Sequence, residues 1–163
     1  MKAQLNLDCI AVTQSFQSRV ASSKRRGFSG LVGQLTSPPT NARNIVVLDD
    51  YGRGKHADTG DAFKQAVFNG LTPLHARGLN VAFVDFASLW DTVMGSNPGF
   101  AAFGYENPGA GIPNLSQTDL EGECDAPENS FYWLPGHPSK ETHRIMADYV
   151  NLVLATCTAQ TST

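Results

Sequence analysis

The sequence predicts an α/β fold with a parallel sheet, on three observations. "NIVVLDD" (residues 44–50) and "LNVAFVDF" (79–86) are continuous apolar runs rather than alternating ones, the pattern of strands buried on both faces. Between them, residues 61–77 carry apolar side chains at helical spacing, and "ASLWDTVM" (87–94) reads as a short helix after the second run. Strand, helix, strand, helix in that order is a βαβ unit, whose crossover is right-handed because twisted parallel strands pack back onto their sheet only that way.

The elements follow in order. Residues 9–35 read as an interrupted helix: Ile10, Phe16, Val20, Leu31, Val32 and Leu35 roughly share a face, and Gly27, Gly30 and Gly33 weaken its second half. "TSPPTNARN" (36–44) is a loop, since two prolines hold it extended and remove backbone donors. Ile45 to Leu48 form the first strand, and a polar, Gly-rich loop spans 49–60. Ala62, Phe63, Ala66, Val67, Leu71 and Leu74 line one face of the next helix. Pro73 is expected to kink or shorten it, and Gly78 to stop it. After the second strand and its helix, residues 95–130 read as one long loop rich in Gly, Pro and Asn, a length that is more often functional than idle. Ser139 then caps a final helix, with Glu141 in its first turn where the helix dipole favours an anion. Ile145, Met146, Tyr149, Val150, Leu152 and Val153 form its apolar stripe, and 157–163 read as a frayed tail.

At 163 residues the chain is long enough for a single domain with one core. A hydrophobic fraction of 41% against a charged fraction of 17% is that of a globular chain rather than a disordered one. The net charge of −3 argues against nucleic acid held by bulk electrostatics, and Lys24-Arg25-Arg26 is too short a cluster to change that. No run approaches the ~20 apolar residues of a membrane span. The N-terminal stretch has no sustained apolar core, because Asp8 interrupts it, so no secretion signal is read. Cys9, Cys124 and Cys157 have no metal-ligand spacing, and neither a metal nor a cofactor is expected.

Two stretches carry candidate chemistry. "GRGKHA" (Gly52–Ala57) matches G-x-G-x-x-A after a strand and before a helix, and Asp85 ends the next strand, as in a dinucleotide-binding unit. Against that reading, Asp49 and Asp50 would face a pyrophosphate with like charge. The helix also starts near Gly60, late for its N-terminus to reach the phosphate, and Asp85 lies further on than the ~20 positions of the fingerprint. The second stretch is "FYWLPGHPSKETH" (131–143). Pro135 and Pro138 stiffen the approach to His137, which sits on a loop just before a helix, where catalytic side chains are often placed.

This second stretch, through "RIMADYV", resembles the last sequence block of the GDSL, or SGNH, esterase and lipase family. The block reads Trp, Asp, two residues, His, Pro, Thr or Ser, then a helix with a second His. Trp133, His137, Pro138, Ser139 and His143 match it. "ARNIVVLDDYGRG", "GDAFKQAVFNGLTPL" and "VAFVDFASLWDTVMGSNPGFAAFGY" are similar, in order, to the segments that follow the family's central helix, particularly in fungal members grouped with carbohydrate esterases. The likeness runs from about residue 13 to 155. It implies a three-layer α/β/α parallel sheet, SGNH-hydrolase-like and flavodoxin-like, and a small-molecule ester as substrate. It also implies His137 as the catalytic base, and relatives that are often secreted.

The chain departs from the family in two places. The Gly-Asp-Ser segment that carries the family's nucleophile has no counterpart: "GDAF" at Gly60 has alanine where serine is needed, "GFSG" places Ser29 without a preceding strand, and no Gly-x-Asn-Asp supplies oxyanion donors. The expectation is therefore an incomplete fold with its first strands missing, and weak or absent hydrolysis. The family's aspartate, three positions before the histidine, is replaced by Leu134; a backbone carbonyl, or Asp125 or Glu128 from the preceding loop, is the candidate substitute. An alternative from another class is a non-catalytic module that binds sugar or acyl groups through Trp90, Phe100, Phe103, Tyr105 and Trp133; a third reading is the nucleotide-binding unit.

Overall fold

The computed structural model describes residues 30–49, 53–114 and 121–160, with side chains to residue 156. The chain has helices and small sheets of both kinds, an α/β protein in the broad sense, and it divides into two compact units. Among the described residues one unit comprises 30–86 with 152–160, the other 87–151.

In the first unit, residues 30–36 are helical (α1). The remainder of the helix expected over 9–35 lies outside the described residues. Strand β1 (Asn44–Asp49) and strand β2 (Asn80–Asp85) pair in parallel, in register from Asn44 opposite Asn80 to Asp49 opposite Asp85. Helix α2 (Asp58–Ala76) connects them, so the predicted βαβ order holds. The core gathers Val32, Ile45, Leu71, Leu74, Leu79, Val81 and Phe83, with Val47, Val67 and Phe68 packed on it. Phe68 meets Phe83 edge to face, ring centroids 5.5 Å apart, the geometry aromatic quadrupoles favour.

Two expectations are corrected here. β2 is buried along Val81–Val84, as a continuous apolar run requires, but β1 alternates. Ile45 and Val47 face the core, while Val46 (45%) and Leu48 (57%) remain exposed on the other face. β1 ends a two-stranded sheet among the described residues, so burial on both faces does not follow from its composition. On α2, Phe63 is exposed, and Lys64 takes the inward position at that end. Its Nζ reaches both oxygens of Asp85, at 3.1 and 3.3 Å.

Helix α2 also starts earlier than expected and continues past Pro73 to Ala76. The missing N–H leaves the carbonyl of Asn69 without its helical donor, but Pro73 and Asn69 both lie on the exposed face, where water can serve. The stop is a complete Schellman motif. The Leu79 N–H donates to Leu74 O (3.2 Å), the Gly78 N–H to His75 O (2.9 Å), and Leu74 and Leu79 bury against the same core. Gly78 has φ +82°, with open space around its Cα.

In the second unit, helix α3 (Phe86–Met94) buries Ala87, Leu89, Trp90 and Val93. The long loop expected over 95–130 is not uniform. It contains a 3-10 turn at Phe100–Phe103 and strand β3 (Asn107–Ala110), which pairs in parallel with β4 (Ser130–Leu134). "NPGA" has poor strand propensity. Tertiary pairing overrides it, and the Asn107 side chain braces the irregularity, accepting from the Gly109 N–H at 2.8 Å and donating to Ala110 O at 3.2 Å. β4 turns into β5 (His137–Pro138), antiparallel, and helix α4 (Lys140–Gln160) follows. On α4 the buried positions are Thr142, Tyr149 and Val153, whereas Leu152 is exposed. Helical backbone continues to Gln160, past the expected fraying at 157, and 161–163 lie outside the described residues.

Gly78→Ala is expected to lower stability by about 1 kcal/mol, the cost of a Cβ in left-handed backbone, read as a shift in urea midpoint at unchanged slope. Ile45→Ala is expected to cost about 2–4 kcal/mol as a core cavity, and Val46→Ala, one residue on but on the open face, less than about 0.5 kcal/mol. Equal losses at the two positions would contradict the one-sided burial of β1.

Candidate functional site

The site is built on the hairpin that joins β4 to α4. Leu134 pairs with His137 across the two residues Pro135 and Gly136. Proline fixes φ near −65° at the first turn position, and Gly136 (φ +77°) takes the left-handed position next to it, which is the residue pattern of a type II turn. Pro138 follows, and Ser139 caps α4: its Oγ accepts the Thr142 N–H at 3.3 Å. His137 is thus held beside the turn of a stiff hairpin, two residues before a helix cap.

The imidazole of His137 is exposed, and no described side chain or carbonyl bonds to it. Asp125 and Glu128, proposed as substitutes for the missing aspartate, are exposed and make no bond to the ring; that expectation is corrected. The nearby serines are committed elsewhere. The Ser139 hydroxyl serves the helix cap and contacts Thr142 Oγ1 at 3.2 Å, and the Ser130 hydroxyl faces Asn107 Nδ2 (3.3 Å) and Cys124 Sγ (3.7 Å). Ser29 lies outside the described residues. The second histidine of the block, His143, is exposed, and its Nδ1 donates to Ser139 O at 3.0 Å when that nitrogen carries the proton.

Beneath the hairpin is a buried hydroxyl network whose protons can be assigned. Thr142 Oγ1 lies 2.6 Å from Phe131 O, and a carbonyl only accepts, so the threonine proton is spent there. The same oxygen lies 2.8 Å from the Tyr105 hydroxyl and 3.2 Å from the Ser139 hydroxyl. Both must therefore donate into its two lone pairs. Phe131 O also receives the Ser139 N–H at 3.0 Å. Thr142 and Ser139 are 0% and 1% exposed, and each of the three hydroxyl protons has an acceptor. Burial raises the Tyr105 hydroxyl above its usual range. Tyr105 stays protonated, as a donor must.

Around this network the aromatics sort themselves. Phe131 packs edge to face against Trp90 (5.3 Å), Tyr105 (5.4 Å) and Tyr132 (4.8 Å), and the Trp90 indole N–H donates to the Tyr132 hydroxyl at 2.8 Å. Trp90 and Tyr105, considered as ligand-binding aromatics, are core residues; Phe100 and Phe103 are half-buried. Trp133 alone of the five is exposed, at 41%, and it makes no described ring contact. On the α4 surface Arg144 grips Glu141 and Asp148, and its hydrogen bond holds the Glu141 carboxyl below its usual range.

The loop read as a nucleotide fingerprint is described from Arg53 onward; Gly52 lies outside the described residues. Helix α2 does begin directly after Ala57, closer than expected, but its first turn carries Asp58 and Asp61. Those carboxylates occupy the positive end of the helix dipole, and His56 Nδ1 leans on Asp61 at 3.2 Å. Among the described residues no three His, Cys, Asp or Glu side chains are placed to hold a metal, and no helix is long and apolar enough to cross a membrane. Sequence reasoning found the Ser139 cap but missed Thr142, whose only signal was its place at the third helical position after a serine cap.

Comparisons with protein-family models, with curated proteins and with solved structures return no match to this chain.

Tyr105→Phe removes the proton donated to Thr142 and is expected to cost about 1 kcal/mol at neutral pH. The raised hydroxyl also sets a pH dependence. Above about pH 10 the unfolded chain loses the tyrosine proton first, so stability falls as pH rises toward the folded value. Urea unfolding between pH 7 and 11 should show a shallower alkaline decline for Tyr105→Phe than for the wild type.

Proposed function

We propose that this chain carries the carboxyl-terminal part of an SGNH-type serine ester hydrolase, with His137 as its base. The observation that carries the reading is an exposed imidazole on a Pro-Gly hairpin directly before a capped helix, unbonded by any described residue. The ordered resemblance along the chain adds to it. In such a reaction a serine hydroxyl attacks the ester carbonyl while His137 takes its proton. The imidazolium then returns that proton to the departing alkoxide, leaving an acyl-serine that water hydrolyses by the same relay. Converging N–H donors would stabilise the tetrahedral oxyanion.

On this reading His137 is a base without a nucleophile among the described residues, since Ser130 and Ser139 are spent on internal bonds. In the three-layer sheet of that family the edge of β1 that is unpaired among the described residues would take further strands, and its exposed face, with Val46 and Leu48, a covering helix layer. Hydrolysis by this polypeptide alone is expected to be weak or absent. Leu134 cannot replace an aspartate in orienting the ring, a loss worth ~10⁴ in turnover in a known triad.

A p-nitrophenyl acetate assay of the purified chain should stay near background. Complementation with an amino-terminal SGNH fragment bearing Gly-Asp-Ser should raise turnover, and His137→Ala should abolish the gain. A gain that survives His137→Ala would overturn the reading. The exposed Trp133 favours a second reading, a non-catalytic module for sugar or acyl groups. A ligand-induced rise in Tm that Trp133→Ala removes, with no turnover in the complemented pair, would support it instead.

A further inference from the structure

We infer that Thr142 is a positioning residue for His137, acting through the carbonyl oxygen of Phe131. The inference rests on the reading of His137 as the base. The hairpin that carries the imidazole leaves the core at Phe131 and returns at Ser139, and both feet are tied at one oxygen. Phe131 O accepts the Ser139 N–H at 3.0 Å and the Thr142 hydroxyl at 2.6 Å. Between the feet the hairpin is stiff: Pro135 and Pro138 fix two φ angles, and Leu134 pairs with His137. The Gly111 and Ile112 N–H groups further hold the β4 arm at Tyr132 O (2.9 Å) and Trp133 O (3.0 Å), so the freedom that remains lies in the returning arm, Pro135 to Ser139.

No described side chain bonds the His137 ring, so the imidazole is aimed by its backbone alone. On its return that backbone is tied to β4 by the two hydrogen bonds that Phe131 O accepts. Thr142 can hold its bond because its other valences are filled: Tyr105 and Ser139 donate into its oxygen, and its own proton has a single destination. A hydroxyl so saturated cannot rotate to another partner. It thereby converts the first turn of α4 into a clamp on β4, in place of the carboxylate that Leu134 cannot supply.

The test uses the full chain with labelled histidines. Thr142→Val keeps the branched shape and loses the hydroxyl; Thr142→Ser keeps the hydroxyl. In Thr142→Val the Ser139 amide should exchange with solvent about tenfold faster. The NMR signals of His137 should shift and broaden while those of His56 and His75 stay in place, and Thr142→Ser should restore both. Tyr105→Phe should move the same signals in the same direction, and serves as the readout if Thr142→Val does not fold. A folded variant with lowered Tm but unmoved Ser139 exchange and His137 signals would sink the inference, marking a merely structural hydroxyl. In the complemented ester assay Thr142→Val should lower kcat with KM within about twofold. Turnover indifferent to His137→Ala would refute the base reading, and that outcome is distinct from any change in the hairpin signals.

Discussion

Phe131 is where the apolar and polar constraints of its unit meet. Its ring, 1% exposed, is enclosed by Trp90, Tyr105 and Tyr132, and its carbonyl is the common acceptor for the cap residue and the first turn of α4. The two halves reinforce one another. Edge-to-face packing fixes the strand's rotation, which fixes where the carbonyl points. The bonds to that carbonyl fix where the helix begins. Burial without bonding would leave hydroxyls unsatisfied at a cost of about 1–3 kcal/mol each, and bonding without burial would leave them exchanging with water. The hairpin that presents His137 inherits its placement from this pairing.

The other unit closes by different means. Its core is almost wholly aliphatic, with one aromatic pair, and its polar fastenings sit at the margins. A Schellman turn ends α2, and the Lys64–Asp85 ion pair, partly shielded, fastens the start of the same helix to the end of β2. β1 is the open member. An apolar strand with an unpaired edge invites further sheet, since natural edge strands usually carry charges, prolines or bulges as protection, and β1 is such an edge among the described residues. Ile45 to Leu48 carry none.

The chemistry available to the hairpin follows from what surrounds it. An imidazole exposed to water and bonded to no described neighbour has neither its tautomer nor its ring plane fixed by a partner. Precision must then come from the chain that carries it, a weaker arrangement than a carboxylate at the second ring nitrogen. On the α4 surface Lys140 and Arg144 balance Glu141 and Asp148, so these four charges sum to zero.

By itself the sequence determined the elements whose signal is local. The βαβ order followed from two β-branched runs and a 3.6-residue stripe, the end of α2 from Gly78, the start of α4 from Ser139, and the rigid presentation of His137 from Pro135, Gly136 and Pro138. Periodicity and capping are properties of a few neighbouring residues, so they can be read without a fold. Only the tertiary structure decided what depends on distant partners. "NPGA" became a strand because β4 lies beside it, against its own propensity. Val46 and Leu48 stayed exposed because one face of β1 meets no core. Trp90 and Tyr105 proved to be packing rather than binding aromatics. Thr142, an ordinary helical threonine by sequence, became the centre of a saturated network because folding brings Tyr105 and Phe131 to the same oxygen, and no spacing rule links residues 37 and 11 positions away.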